Sequence, residues 1–312
     1  MNNILVIGNL NCDMLGRVDH MPEADEEVAL QTLETFMGGS GANLAVVAAR
    51  LGLQPALYAA VGDDRTGDDL IRMLDEGGVS TARIKRVPGQ RSGQVLGVVE
   101  ADGVRRLFSY RGANRELKAD DISDADLAAC GWLHLSSPAY DLAQTVLERA
   151  RKVKIHTSMD PGSVLISEQP LTSLLGLVDV LFVNEVEFRK LSRGDSLSDR
   201  AAYLHDQGAD WIVLKHQARG SALFRPGQPP VTAHAFQIQA VDTTGSGDAF
   251  NAAFLAAVMK EVNPMHALRQ GNAAGAMNAL LPGAVTGVPT APAALEKFIR
   301  ETPQWDVGVD IS

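Results

Sequence analysis

The chain has little cysteine and no cluster of metal-binding side chains. Cys12 and Cys130 are its two cysteines among 312 residues, and they do not form a C-x-x-C pair. The seven histidines are scattered singly, and none belongs to an H-E-x-x-H motif. Neither a disulfide framework nor a zinc site is therefore indicated.

Long hydrophobic runs and an excess of basic charge are also absent. No apolar stretch reaches membrane-spanning length, and the first residues, MNNILVIGNL, lack the pattern of a signal peptide. The formal net charge of −10 argues against a surface that neutralises nucleic-acid phosphates. We therefore expect a cytoplasmic protein that binds neither membranes nor nucleic acid. A nucleotide ligand stays possible, since backbone amides and a metal can bind its phosphates in a small pocket.

Short apolar runs alternate with longer helical patterns, which predicts an α/β fold with a mostly parallel sheet covered by helices. The predicted strands are residues 4–7, 56–61, 132–135, 155–160, 180–183 and 211–214. The predicted helices are residues 43–51, 67–76, 140–152, 185–191 and 246–260. In such sheets ligands bind beyond the carboxyl ends of the strands, so we expect the chemistry there.

Two regions, 18–36 and 92–110, interrupt this alternation and are typical of strand pairs. In the second region Asp102-Gly103 is predicted to form a hairpin turn. These strands, without helices of their own, could form a small separate sheet that serves as a lid or a dimer surface. The alternative is an extension of the edge of the central sheet.

The predicted helix 246–260 is apolar nearly all round, yet it begins with the polar sequence DTTGSGD at residues 242–248. Small residues at a helix start leave backbone amides open to a negatively charged oxygen. Asp248 falls in the first turn and faces the same space, an arrangement that suits phosphoryl transfer. Alternatively, this is a glycine-rich turn with an ordinary first-turn acid.

Two separated motifs resemble the signatures of the ribokinase, or PfkB-type, carbohydrate kinase family. DTTGSGDAF resembles the C-terminal signature D-T-x-G-A-G-D, and residues 38–43, GGSGAN, resemble the N-terminal one. Residues 61–67, 184–187 and 271–276 extend the similarity over nearly the whole chain. The resemblance implies a three-layer ribokinase-like domain over 1–312, with lid strands at about 12–36 and 92–111. It implies ATP-dependent phosphorylation of a hydroxyl group on a small sugar or sugar derivative.

Position by position, the resemblance implies roles for the residues around the two motifs. Asp248 matches the catalytic base, and the amides of Gly245, Ser246 and Gly247 match the anion hole. The substrate-side residues are Asp13, Gly39 and Asn43. Taken singly, Asp13 could instead be a turn acid and Asn43 a helix cap.

The resemblance also implies a nucleotide site. Asn184 and Glu187 match an N-x-x-E element associated with Mg²⁺ and phosphates, and the same spacing predicts a capping box. Glu187 is expected to bind Mg²⁺ partly through water. Lys215 and Gly220 belong to the nucleotide loop, and Asn272 corresponds to a position near the adenine.

A monovalent cation site is implied as well. Asp242 and Thr244 correspond to ligands of an ion such as K⁺, with residues 282–287 as the second half of the loop. Ribokinases often have Ser where this chain has Gly287, so cation activation is less firmly implied than phosphoryl transfer.

Other departures from the family pattern concern the ligands. Gln217 stands in the nucleotide loop where Gly is usual, and Ser40 and Ser136 replace ribose-side Lys and Glu. These replacements argue against ribose itself. Arg111 adds a charge that suits an acidic or ketose-type substrate, or else is an exposed lid residue.

Two other functions stay open at this stage. A nucleoside kinase of the same superfamily would share Asp248, and a non-catalytic sugar sensor could keep the fold. The intact Asp248, Glu187 and glycine-rich amides argue against the sensor, because a pure binder does not need a proton acceptor. The resemblance further suggests a homodimer formed through the lid strands.

Overall fold

Thirteen strands and eleven α-helices alternate along the part of the chain that the structure describes. The structure is a computed structural model that describes residues 3–102, 104–168 and 170–311. The strands are β1 Asn3–Gly8, β2 Asn11–Arg17, β3 Thr32–Gly38, β4 Gln54–Gly62, β5 Ile84–Val87, β6 Gly93–Val99, β7 Arg105–Tyr110, β8 Trp132–Ser136, β9 His156–Asp160, β10 Val180–Asn184, β11 Trp211–Lys215, β12 Ser221–Arg225 and β13 Gln228–Ala233. The helices are α1 Ser40–Arg50, α2 Arg65–Glu76, α3 Asp124–Ala128, α4 Tyr140–Val153, α5 Gly162–Glu168, α6 Thr172–Leu175, α7 Glu185–Leu191, α8 Leu197–Asp206, α9 Ser246–Val258, α10 Pro264–Asn278 and α11 Pro292–Glu301.

Nine strands form one large sheet in the order β13-β12-β11-β10-β9-β8-β1-β4-β5. Seven neighbouring strands of this sheet pair in parallel, namely β11, β10, β9, β8, β1, β4 and β5. Strands β12 and β13 add an antiparallel hairpin at the β11 edge. The six strands predicted from short apolar runs all lie in this sheet, and each predicted helix is present with ends shifted by at most three residues. The prediction of a mostly parallel α/β sheet is therefore confirmed.

Side chains on the two faces of the sheet pack into two separate cores, which gives three layers. Along β1, Ile4 and Val6 belong to one core with α1, α9 and α10, while Leu5 and Ile7 belong to the other with α4, α7 and α8. Alternating side chains of a strand point to opposite faces, so a strand buried on both sides reads as one apolar run. Helix α9 is buried continuously from Ala249 to Ala257, as its sequence predicted.

Four strands form a second, smaller sheet in the order β3-β2-β6-β7. It is separate from the large sheet, which decides against an extension of the sheet edge. The predicted strand pair within 18–36 is wrong in its first half, because β2 ends at Arg17 and no strand is assigned over described residues 18–31. The polar sequence NLNCD after β1 resembles a loop, so the apolar pattern did not reveal the start of β2, although the lid range of about 12–36 implied by the resemblance includes it from Cys12 onward. In the second region β6 and β7 pair antiparallel as predicted, but Gly103 of the proposed hairpin turn lies outside the described residues.

The register of the parallel strands sets their ends side by side. Gly8 aligns with Ser136, Ser136 with Asp160, and Asn184 with Lys215. Polar side chains that follow different strands therefore meet at one edge of the large sheet. No helix of the described residues is both long enough and apolar enough to span a membrane.

Candidate active site

The head of α9 presents open backbone donors. Gly245 precedes the helix with φ of 73°, and an added Cβ would lie 2.3 Å from the Ala284 carbonyl oxygen, so only glycine fits. No side chain caps this helix. The Ser246 amide donates to the Thr243 carbonyl oxygen at 3.2 Å, whereas the amides of Gly245 and Gly247 have no acceptor among the described residues. Two of the three amides assigned from sequence are thus available to an anion.

Asp248 lies in the first turn of α9 and is bonded to the first turn of another buried helix. The side-chain amide of Asn43 on α1 donates to Asp248 Oδ2 at 2.8 Å. Burial raises the pKa of Asp248 to about 7, and the hydrogen bond from Asn43 opposes that rise. A carboxyl group with this pKa is poised to exchange a proton near neutral pH.

Asp13 on β2 lies near Asp248, and its charge contributes to the raised pKa of Asp248. Gly38 passes so close that an added Cβ would be 2.0 Å from Asp13 Oδ2. Burial, followed by the charge of Asp242, raises the pKa of Asp13 to about 6, and Arg105 opposes the rise. Gly39 follows Gly38 and directly precedes α1, so Asp13, Gly39 and Asn43 lie near one another, while their role on the substrate side stays a prediction.

Three polar atoms around this site are buried without a hydrogen-bond partner in the described residues. They are Asp13 Oδ1, Asn43 Oδ1 and Ser246 Oγ. Two are obligate acceptors when Asp13 is ionised, and an unsatisfied buried acceptor is costly. Ligand hydroxyl groups would satisfy them.

A buried ion pair that sequence reasoning missed lies beneath the α9 head. Lys215 Nζ donates to Asp160 Oδ2 at 2.7 Å and to Asn251 Oδ1 at 3.2 Å, and Asn251 Nδ2 donates to Asp160 Oδ2 at 2.8 Å. Lys215 Nζ is only 3.4 Å from the position that a Cβ of Gly247 would occupy. Lys215 was predicted in the nucleotide loop, whereas Asp160 and Asn251 were not identified. A carboxylate at the end of a parallel strand was the one available signal for Asp160.

The lysine and the aspartate stabilise each other's charged form. Burial alone would raise the pKa of Asp160, but the Lys215 ammonium and the two hydrogen bonds outweigh it and hold this pKa below its usual range. Burial alone would lower the pKa of Lys215, but Asp160 outweighs it and raises this pKa. Both groups are therefore charged at neutral pH.

Asn184 and Glu187 form the predicted capping box at the start of α7. The Asn184 side chain accepts from the Glu187 amide at 2.9 Å, and the Glu187 carboxylate accepts from the Asn184 amide at 2.9 Å. Glu187 also accepts from Ser163 Oγ at 3.4 Å. Its side chain is buried, and burial together with the charge of Asp160 raises its pKa.

The residues assigned to the nucleotide loop lie around the β11–β12 turn. Gly220 has φ of 102° and directly precedes β12, while Gln217 is exposed in the turn with φ of 49°. Asn272 on α10 donates to the carbonyl oxygens of Ala233 and His234 at 3.0 and 3.1 Å. Its side-chain amide therefore holds the end of β13 in place.

The loop assigned to a monovalent cation is extensively bonded within the protein. Asp242 accepts from the amides of Thr244 at 2.9 Å and Gly283 at 3.0 Å, and Asn278 donates to the Thr244 carbonyl oxygen at 2.7 Å. Arg105 reaches this loop from β7, donating to Thr244 Oγ1 at 2.5 Å and lying 3.5 Å from Asp242 Oδ1. Among residues 3–102, 104–168 and 170–311, no three His, Cys, Asp or Glu side chains are grouped to hold a metal.

Arg111 lies apart from Asp248, directly after β7. It lines a cavity whose other walls include Asn9, Asn114 and Ser137, and this cavity does not include Asp13, Asn43 or Asp248. The structure therefore brings the predicted catalytic and sugar-side residues together, with Arg111 at a neighbouring position.

Comparisons with known proteins agree with the ribokinase-like fold predicted from the sequence. A family model described as pfkB family carbohydrate kinase matches residues 1–291. The chain is 32% identical over 302 residues to a Halopiger xanaduensis protein named ATP-dependent ribose-1-phosphate kinase, with 96% of this chain and 99% of that relative covered. It is 29% identical over 305 residues to Haemophilus influenzae ribokinase, with 94% and 97% covered. The solved structure of Arabidopsis thaliana ribokinase complexed with ribose and ATP is similar at a TM-score of 0.86 and 26% identity, covering 95% of this chain and 98% of that one.

The buried ion pair makes a prediction for stability. Lys215 and Asp160 each expose 15% of their side chains, and removing one partner of such a pair leaves the other charge uncompensated. We expect Lys215→Ala to lower the free energy of unfolding by about 3 kcal/mol, measured by urea denaturation. Lys190→Ala, at an exposed position of α7, is the matched control. Equal stability of the two variants would contradict the prediction.

Proposed function

Because the chain belongs to the pfkB family of carbohydrate kinases, we propose that it transfers the γ-phosphoryl group of ATP to a hydroxyl group of a small sugar or sugar derivative, with Asp248 as catalytic base. The observation that carries the proposal is the position of Asp248 beside the open amides of the α9 head. Its hydrogen bond to Asn43 fixes the carboxylate, and its pKa of about 7 suits a general base.

The acceptor hydroxyl loses its proton to Asp248 as its oxygen attacks the γ-phosphorus, and the bond to the ADP oxygen breaks. The amides of Gly245 and Gly247 stabilise the negative charge on the transferred group, and the N-terminal dipole of α9 adds to this effect. The unpaired atoms Asp13 Oδ1 and Asn43 Oδ1 accept hydrogen bonds from other hydroxyls of the sugar. These contacts orient the acceptor towards the base.

The nucleotide is proposed to bind at the carboxyl edge of the large sheet, next to Asn184, Lys215 and Gly220. Asn272 of α10 is proposed to lie on the adenine side of this site. Lys215 lies beneath the α9 head and contributes positive charge next to the phosphates. Glu187 would hold Mg²⁺ through water, since its own oxygens already accept hydrogen bonds from the α7 cap and Ser163. Bound Mg²⁺ would neutralise charge on the phosphate oxygens.

The small sheet is proposed to act as a lid and as the contact surface of a homodimer. Asp13 reaches the site from β2, and Arg105 connects β7 to the loop before α9. Leu33, Leu107 and Phe108 on this sheet are each more than half exposed, and a second copy would cover them. The cytoplasm, which supplies ATP, is the proposed location.

Replacement of the proposed base tests the reaction. We expect Asp248→Ala to lower kcat by about 10²–10⁴-fold, because the acceptor proton loses its positioned acceptor. ADP release would be measured over a panel of sugars and nucleosides. Asp206→Ala, an exposed acid on α8, is the control and should keep full activity. An undiminished kcat in Asp248→Ala would refute the assignment of the base.

The raised pKa of Asp248 predicts the pH dependence. A carboxyl group with a pKa of about 7 is protonated below that pH and cannot accept a proton. We therefore expect kcat/KM to fall as the pH decreases through about 7. The Asn43 hydrogen bond lowers this pKa, so Asn43→Ala should move the fall to higher pH. A profile that stays flat down to the usual carboxyl range would contradict this.

A monovalent cation such as K⁺ is proposed to bind at Asp242 and Thr244, in competition with the Arg105 guanidinium. The guanidinium already contacts both side chains, so K⁺ should activate the native protein weakly. We expect a larger activation in Arg105→Ala, measured by titrating KCl against a constant total chloride set with a bulky organic cation. If the rate in both proteins were the same at all K⁺ concentrations, the proposal of a cation site would be excluded.

A further inference from the structure

A small polar cavity lies between β2 of the small sheet and the carboxyl edge of the large sheet. Its volume is about 160 Å³. Its polar walls are Arg111 together with Asn9, Asn11, Ser109, Asn114, Ser137 and Ser163. These walls include no acidic side chain, in contrast to the aspartates Asp13, Asp242 and Asp248 around the α9 head.

Arg111 has no charge partner within the described chain. Its guanidinium makes no hydrogen bond to described residues, and no carboxylate among them lies within 4.0 Å. The adjoining cavity, of about 270 Å³, shares Arg111 and adds Arg115, which likewise has no acidic partner in the described chain. Two uncompensated guanidinium groups at adjoining cavities create a region of positive potential in a chain whose net charge is −10.

Neutral donors around Arg111 are also free. The side-chain amide of Asn9 and the hydroxyls of Ser109 and Ser137 make no hydrogen bond to other described residues. Asn114, by contrast, is satisfied, because it bonds the main chain of Leu10 and the side chain of Asn11 and thereby fixes the wall. The cavity therefore offers a fixed frame with one cationic fork and several unused neutral donors.

The register of the small sheet relates this cavity to the sugar-side aspartate. Asp13 pairs with Val95, and Val95 pairs with Ser109, so these side chains share one face of the sheet. Asn11 lies on that same face, two residues and about 7 Å along β2 from Asp13, while Arg111 follows directly after the end of β7, two residues beyond Ser109. Arg105 lies on this face at the opposite end and contacts the loop before α9. A molecule held at Asp13 is therefore within reach of Arg111.

We propose that this cavity binds a phosphate group carried by the sugar substrate, so that the acceptor is a sugar phosphate rather than a neutral sugar. This inference rests on the proposed function. A guanidinium fork supplies two parallel donors to an anionic oxygen pair, and the hydroxyl and amide donors serve the remaining phosphate oxygen. A carboxylate has two oxygens and leaves donors unused, which favours phosphate.

The test compares acceptors and Arg111 variants. ADP release would be measured with pentose and hexose phosphates, the matching sugar acids and the neutral sugars. A sugar phosphate should be the best acceptor. Arg111→Ala should lower kcat/KM for it about 10- to 100-fold, mostly through KM, because one charge-assisted pair is lost. Arg111→Lys should recover part of the loss.

The controls separate this inference from the proposed function. Arg300→Ala, at an exposed position of α11, removes the same charge and should have no effect. If a neutral sugar or a sugar acid were the best acceptor, the inference would be overturned. The proposed kinase function would still stand, provided that turnover depended on Asp248. A rise in KM for ATP alone in Arg111→Ala would assign the cavity to the nucleotide and also overturn it.

Binding measured without turnover gives an independent readout. Calorimetric titration with a sugar phosphate should give a dissociation constant about 10- to 100-fold weaker for Arg111→Ala than for the native protein. An equal dissociation constant in the two proteins would overturn the inference. If the native protein turned over none of the acceptors, that result would count against the proposed function. The titration would still decide whether Arg111 binds the phosphate group.

Discussion

The hydrogen bond between Asn43 and Asp248 joins the first turns of two buried helices, and the geometry of the site depends on it. The two residues are 205 positions apart, so only the complete fold brings them together. Helix α9 is apolar nearly all round and cannot rotate without moving its core neighbours. The carboxylate is therefore held by the packing of α9 on one side and by a neutral donor on the other.

Neighbouring carboxylates differ in pKa because they have different partners. Asp160 is paired with Lys215 and Asp242 accepts hydrogen bonds from its own loop, and both have pKa values below the usual range. Asp13 and Asp248 are buried without a cation of comparable strength, and their pKa values rise to about 6 and about 7. Environments that separate the pKa values of similar groups are typical of sites that move protons.

The sequence predicted those parts of the molecule that have a local signal. The buried parallel strands appear as short apolar runs, and α9 appears as an apolar helix with a polar head. The interaction of Asp160 with Lys215 and Asn251 spans 55 and 91 residues, so no local pattern could reveal it. The contact of Arg105 with Thr244 spans 139 residues and depends on how the two sheets meet. The apolar pattern missed the start of β2, because its polar residues Asn11 and Asp13 face the site rather than a core, whereas the family resemblance placed lid strands from about residue 12.

The two sheets carry different parts of the proposed reaction. Residues at the edge of the large sheet, among them Asp160, Asn184 and Lys215, are fixed by the register of parallel strands and by buried hydrogen bonds. Those of the small sheet lie on strands that pack on one face only, and β7 is exposed along its whole length. A substitution there alters few core contacts, so it costs little stability. Positions at this exposed edge, including Arg111 directly after β7, can therefore change more freely than residues at the buried head of α9.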